Sequence, residues 1–375
     1  MKKLFLILML LCAHLLPVIT HAQELVEDVT KNYKAEVVKV VSKSSREIAA
    51  TGVSNPTQEI QIKIISGDKK GFITTFENDF IQLKEGETFF LNYTIRPDGT
   101  ELFSVSDPYR LNSIYFFIGI FIFVTLLFGG KQGFRGLISL AGSLALIFYI
   151  LLPGLLHGIS PVVLSIAVAS LIIILGSYIT HGFNRTTTTA VIGMIITIII
   201  TGVLATVAVS HTRLTGFAEE EAIYLNFNTG GMLDFSGLLL GAILIGLLGT
   251  LYDASISQAI AVEEIYATNP SLTKKEVYKK VLRIGREHIG ALVDTLAIAY
   301  VGAALPLLLL FFHATELPIG MIINREIFAT EIIRIVIGSI GVILAVPLTT
   351  LISTHMLVGK PISHSHRGHS HVYHH

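Results

Sequence analysis

The 375-residue chain carries 27 Lys and Arg against 27 Asp and Glu, so charged residues make up only 14% of it, while 52% is hydrophobic and the mean hydropathy is +0.68. A soluble domain has roughly 25% charged residues, so the composition points to a membrane protein, and a net charge of zero with basic residues in short clusters excludes the one-sided basic surface of a nucleic-acid binder. The single cysteine, Cys12, excludes an intrachain disulfide and lies in a segment expected to be removed.

Residues 1–22 open with Lys2 and Lys3, run through the apolar stretch Leu4 to Leu11 and end Thr20-His21-Ala22. This is the form of a cleaved secretory signal peptide. Residues 23–110 then hold 25 of the 54 charges and are expected to be an exported, extracytoplasmic domain. Glu59-Ile60-Gln61-Ile62-Lys63-Ile64 alternates with period two, and Ser66-Gly67-Asp68, Lys84-Glu85-Gly86-Glu87 and Pro97-Asp98-Gly99 supply turns. About five short, half-buried strands follow from this, forming a small β-barrel-like domain of the OB or SH3 kind.

A helix needs about 20 apolar residues to cross the hydrocarbon core. Seven stretches qualify, near 111–130, 136–157, 160–182, 187–210, 233–262, 287–312 and 329–357. The fold class expected is therefore mostly α, a polytopic seven-helix membrane bundle over 111–358, followed by a His-rich tail over 359–375. Alternate loops carry Lys131, Arg135, Arg185, Lys274, Lys275, Lys279, Lys280, Arg283, Arg286, Lys360 and Arg367 on one side against Arg213 and Arg325 on the other. Positive residues stay on the cytoplasmic side, which predicts an inner-membrane protein with its first domain outside and its carboxyl terminus in the cytoplasm. In the largest cytoplasmic loop, Asn269-Pro270 stops one helix and Thr273-x-x-Glu276 has the spacing of a capping box that starts another.

From Gly237 onward a pattern accumulates: Gly237, Gly241, Gly246, Gly249 and Asp253, then Glu263-Glu264, Asn269-Pro270, Gly285-Arg286, Asp294-Thr295-Leu296, Gly338-Ser339-Ile340-Gly341 and Pro347-Leu348-Thr349. It resembles the YibE/F family of bacterial multi-pass membrane proteins, over the outer strands as well as the spans. The resemblance implies the architecture and leaves the activity open. The run from Gly249 to Gly302 is in addition similar to one half of the resistance-nodulation-division permeases and related Sec accessory subunits, which implies proton coupling through intramembrane acids.

Residues 3, 4, 7 or 11 apart share a helix face. On the fifth span Ala242, Gly246, Gly249, Asp253, Ser257 and Glu264 form one stripe; on the sixth, Arg286, Gly290, Asp294, Ala297 and Ala304; on the seventh, Glu331, Arg334, Gly338, Gly341, Ala345 and Thr349. Small residues let helices approach closely in lipid, so all three stripes are expected to be contact faces, with Gly246, Gly249, Gly338 and Gly341 as the closest points. An ionisable residue within a membrane is a functional candidate by default. Asp253 and Asp294 are thus candidate ion-coupling residues, supported by Ser257 and Arg286; the structural alternative is an Asp253–Arg286 pair. Glu331 and Arg334, three residues apart, are expected to pair on their own helix, and Glu263 and Glu264 to form a solvated helix end. His364, His366, His369 and His371 lie in a tail whose composition can bind a divalent metal; no other cofactor is expected.

No phosphate-binding loop, H-E-x-x-H or G-x-S-x-G occurs, so no enzyme is expected. Three readings follow: a secondary transporter or ion-coupled permease; a non-transporting scaffold or sensor whose outer domain binds a partner; and an intramembrane aspartyl hydrolase in which Asp253 and Asp294 share a proton. The partners expected are the lipid bilayer and a second copy or another membrane protein.

Overall fold

The computed structural model describes residues 28–47, 54–313 and 317–360; the expected signal peptide and the four tail histidines lie outside the described residues. Close contacts divide the chain into two compact units, 1–121 and 122–375.

Among the described residues, the first unit contains five antiparallel strands, β1 (Val29–Glu47), β2 (Ser54–Ile64), β3 (Ile73–Asn78), β4 (Thr88–Ile95) and β5 (Glu101–Pro108), in the order β3-β2-β1-β4-β5. β1 serves two neighbours: Ala35 pairs with Ile64 of β2 on one edge and Phe89 of β4 on the other. Register shifts between Val37 and Lys39 and between Val40 and Ser42 mark bulges, which bend and twist a long strand. The alternation read in the sequence places Ile60, Ile62 and Ile64 in the core with Tyr33, Val37, Leu91 and Tyr93. Phe103 of β5 stacks on Phe72 and Phe76, at 6.2 Å from each, so the two edge strands curl toward one another into a half-barrel. At its rim, Tyr33 Oη donates to Asp68 Oδ1 at 2.5 Å and Lys31 Nζ to Asp68 Oδ2 at 3.0 Å. The Tyr33 hydroxyl and the Lys31 ammonium together hold the Asp68 carboxyl at about 2, against an ordinary 3.8.

The helical chain begins with α1 (Leu111–Leu146), which continues through a π-helical turn at Ile147–Leu151 into α2 (Leu152–Leu156). There follow α3 (Pro161–His181), α4 (Arg185–Thr212), α5 (Glu220–Asn228), α6 (Phe235–Gly246), α7 (Leu248–Thr268), α8 (Lys274–Ala303), α9 (Leu305–His313), α10 (Ile319–Ile323) and α11 (Glu326–Leu357). Their starts are chemically marked. Pro161 sits in the first turn of α3, where a missing N–H costs nothing. Asn184 and Asp234 cap α4 and α6 by accepting from Thr187 N and Gly237 N. Thr273 and Glu276 form the capping box expected for α8.

Among the described residues, five helical runs are long and apolar enough to cross a membrane: Leu111–Leu156, Pro161–His181, Arg185–Thr212, Phe235–Thr268 and Glu326–Leu357; α8 and α9, bent by 69°, make a sixth if counted as one span. The sixth expected span is not straight: it is bent at Ala304, between α8 and α9. At Gly130, where the first expected span ends, α1 is interrupted with φ 51° and ψ −134°, a conformation open to glycine because it has no Cβ. A Cβ on Gly133 would stand 2.3 Å from the Thr125 carbonyl oxygen, whereas residues eight apart in a straight helix are separated by about 12 Å. The chain thus folds sharply back at Gly130.

α11 is the centre of the second unit and packs against α4, α7 and α8. Ile173, Met194, Ile198, Leu244, Leu251 and Val342 fill the shared core. Pro347 lies inside α11, so the backbone donor that would normally close on the carbonyl of Ile343 is missing.

Candidate functional site

The seventh-span stripe lies on the inward face of α11. Gly338, Gly341, Ala345 and Thr349 are all buried. A Cβ on Gly341 would fall 2.7 Å from Thr201 Oγ1 of α4, and one on Gly338 would meet Leu296 of α8 at 3.1 Å. Glu331 and Arg334 pair at 2.9 Å, with side chains 16% and 21% exposed. The ring of Tyr300 lies 5.8 Å from the Arg334 guanidinium carbon, and a Cβ on Gly246 would fall on the Tyr300 hydroxyl.

Apart from Gly246, whose close approach to Tyr300 of α8 is the one expected of it, the other two stripes point the opposite way. Ala242, Gly249, Asp253 and Ser257 are exposed, while the inward face of α7 is Leu251, Ala254, Ser255, Gln258, Ala259 and Val262. Nothing lies within 4 Å of a Cβ on Gly249, so the close approach expected there is absent. Arg286, Gly290 and Asp294 are likewise exposed on α8. Among the described residues, neither Asp253 nor Asp294 forms an ion pair, and no Asp253–Arg286 bridge exists. Spacing identified which residues share a face; it did not tell which face turns inward, and the apolar and hydroxyl face of α7 won.

What the structure brings together instead is a band of hydroxyl and amide groups joining α4, α7 and α11. Thr349 Oγ1 donates to Ser255 Oγ at 3.2 Å, Thr350 Oγ1 to Gln258 Oε1 at 2.9 Å, and Ser353 Oγ to Thr189 Oγ1 at 2.9 Å, all buried. Two glycines make room: a Cβ on Gly193 would fall 2.5 Å from Thr349 Oγ1, and one on Gly285 2.7 Å from Gln258 Oε1. One turn further, Thr186 Oγ1 donates to Glu263 Oε2 at 2.6 Å. Glu263 is therefore part-buried and bonded, a correction to the solvated helix end expected of it. Thr197 and Thr201 continue the buried polar face of α4 and return their hydroxyls to carbonyls one turn back, the usual fate of a hydroxyl inside a helix. A signal for this band was present in the spacing Thr186, Thr189, Gly193, Thr197 and Thr201, all on one face.

At the opposite end of α11 lies a cavity of about 230 Å³, lined by the segment 216–225, the start of α6, and Thr330 and Arg334. Its roof is fastened to α11. Glu326 accepts hydrogen bonds from Thr215 N, Thr215 Oγ1 and Gly216 N, between 2.7 and 2.8 Å. Gly216 has φ +83°, and a Cβ there would strike the Phe235 carbonyl oxygen at 2.3 Å, so only glycine serves. Phe217 packs on Phe235 at 4.4 Å. Thr330, 4% exposed, has a hydroxyl without a partner, and so have Arg334 Nε and Tyr300 Oη. Among the described residues no group of three or more His, Cys, Asp or Glu is placed to hold a metal.

A small antiparallel half-barrel followed by a bundle of apolar helices with polar groups buried at their contacts defines a multi-pass membrane protein. The chain belongs to the YibE/F-like protein family, whose model matches residues 117–359. No curated protein and no solved structure matches it.

Proposed function

We propose that the chain is a secondary transporter of the ion-coupled permease class. The observation that supports this reading is the buried band Thr189, Ser255, Gln258, Thr349, Thr350 and Ser353, with Glu263 at its edge. Polar groups this deep in a membrane bundle cost free energy unless they bond to each other or to a passing ion, and oxygen ligands drawn from three helices suit a small cation or a relayed proton. In this reading Glu263 takes the coupling role that spacing alone assigns to Asp253 and Asp294. Dividing α1 at Gly130 and joining α8 to α9 makes seven spans, and the distribution of Lys and Arg sets Lys274 to Arg286 in the cytoplasm of a bacterial inner membrane, with the half-barrel outside. The strand order, with β3 and β5 drawn together, supports an OB-type barrel.

The test is cysteine accessibility in a Cys12→Ser background. Ser353→Cys should react with a small permeant thiol reagent at a rate that changes when an ion gradient is imposed, and Lys279→Cys should react with an impermeant reagent only after the cells are opened. A Ser353→Cys side chain inert under every gradient would mean a dry, static contact and would end the permease reading. A scaffold is the second reading, favoured by the outward-facing Asp253 and Asp294: acids turned away from their own bundle are most easily accommodated against a second copy or another membrane protein.

A further inference from the structure

The cavity beneath Glu326 contains chemistry that neither the helix packing nor the hydroxyl band uses. Thr330 lines it, is more than nine-tenths buried, and has a hydroxyl with no partner. Burying a hydroxyl without a hydrogen bond is unfavourable. Arg334, one turn further along the same helix, also lines the cavity. Its Nη1 is engaged by Glu331 and its Nε is unpartnered, so the guanidinium retains donors for a second acidic group. The Tyr300 ring lies 5.8 Å from its guanidinium carbon.

The rest of the wall narrows the choice of ligand. Glu219 and Glu221 also line the cavity, and Leu225, Phe235, Leu238 and Leu239 supply an apolar surface. A simple anion drawn to Arg334 would have to sit beside Glu219 and Glu221, and a simple cation would leave the free guanidinium edge unused. A molecule with both charges and a short apolar body satisfies every group. The volume, about 230 Å³, is room for about seven waters and falls below the roughly 300 Å³ at which drug-sized pockets begin.

We infer that this cavity binds a small zwitterion of the α-amino-acid type with an apolar side chain, its carboxylate on Arg334 and Thr330, its ammonium toward Glu219 and Glu221, and its side chain against Phe235, Leu238 and Leu239. The inference deepens the permease reading by naming its substrate class, and it rests on that reading only for the transport step; binding itself is independent of it.

The experiment is equilibrium binding of radiolabelled leucine to the purified full-length protein in detergent, with competition by leucine methyl ester, which lacks the carboxylate, and by 4-methylpentanoate, which lacks the ammonium. Saturable leucine binding is expected, with each analogue weaker by roughly tenfold or more, the scale of one lost hydrogen bond to a charged group. Thr330→Val should weaken leucine binding by about the same factor with an unchanged melting temperature, because the hydroxyl has no partner in the protein to lose. Glu219→Gln should restore competition by 4-methylpentanoate. Absence of leucine binding by protein that melts cooperatively overturns the proposal, as does methyl ester binding as tight as leucine, which would make the cavity a site for organic cations. Leucine binding with a Ser353→Cys side chain inert in every gradient would uphold this site and remove only the transporter.

Discussion

α7 and α11 carry the same grammar of residues, small side chains three or four apart with an ionisable group among them, and the structure uses it in opposite ways. On α11 the run Gly338, Gly341, Ala345 and Thr349 is buried against α4, α7 and α8; on α7 the run Gly249, Asp253 and Ser257 is exposed. The difference lies on the other face of each helix. Opposite its small residues α7 presents Leu251, Ser255, Gln258 and Val262, which fit the core and bond to Thr349 and Thr350. α11 presents Ile332, Val336, Ile343 and Leu351 outward, side chains that lipid accommodates well. A face of small residues permits close approach, and the competing face decides whether the approach happens.

Three experiments would break or sharpen this contrast. The largest effect is expected at the ionisable groups. Glu331→Gln strands the Arg334 guanidinium among side chains that are mostly buried, at a cost of about 3 kcal/mol, whereas Asp253→Asn has no partner to abandon and should leave the melting temperature in detergent unchanged. Equal destabilisation by the two would mean that Asp253 is paired inside the bundle after all. Next come the glycines. Gly341→Leu forces a side chain into Thr201 and should cost about 1–3 kcal/mol; Gly249→Leu meets open space and should cost nothing in the single chain. Loss of an oligomer on Gly249→Leu, without loss of folding, would show that a second copy covers this face.

The smallest effect belongs to the half-barrel and serves as a reference outside both stripes. The Asp68 carboxyl is held at about 2 against an ordinary 3.8. A depressed carboxyl contributes stability that is fully present above its unfolded value and is lost as the pH falls through the folded one. Asp68→Asn should therefore lower the melting temperature slightly at neutral pH, and the gap between variant and parent should close between about pH 4 and pH 2. A gap that persists below pH 2 would mean that the group acts through shape and not charge.

Local signals were readable in the sequence. The alternation through Ile60, Ile62 and Ile64, the Thr273–Glu276 box and the Glu331–Arg334 spacing each depend on residues near one another in the chain, and each has its place in the structure. Long-range choices were not readable. The inward face of α7, the link from Thr186 to Glu263 and the pairing of Ser353 with Thr189 join residues 77 and 164 apart, and a periodicity has no way to name its neighbour. The end of the first span at Gly130 was readable, because Lys131, Gln132 and Arg135 follow it, but the positive-φ backbone that turns the chain there leaves no mark in composition. The band of hydroxyls on α4 had a detectable spacing, but threonine in an apolar helix is commonly satisfied by its own backbone, so the spacing alone does not point to a contact between helices.

Pro347 gives this arrangement a mechanical side. Without its N–H, the helix that three others lean on lacks one rung of its hydrogen-bond ladder, at the Ile343 carbonyl. The missing rung lies between the glycines that clasp Thr201 and Leu296 and the hydroxyls that bind α7 and α4. Stiffness is therefore lowest midway between the cavity at one end of α11 and the polar band at the other, so a load applied at either end bends the shaft at its middle before it breaks the grip at its ends.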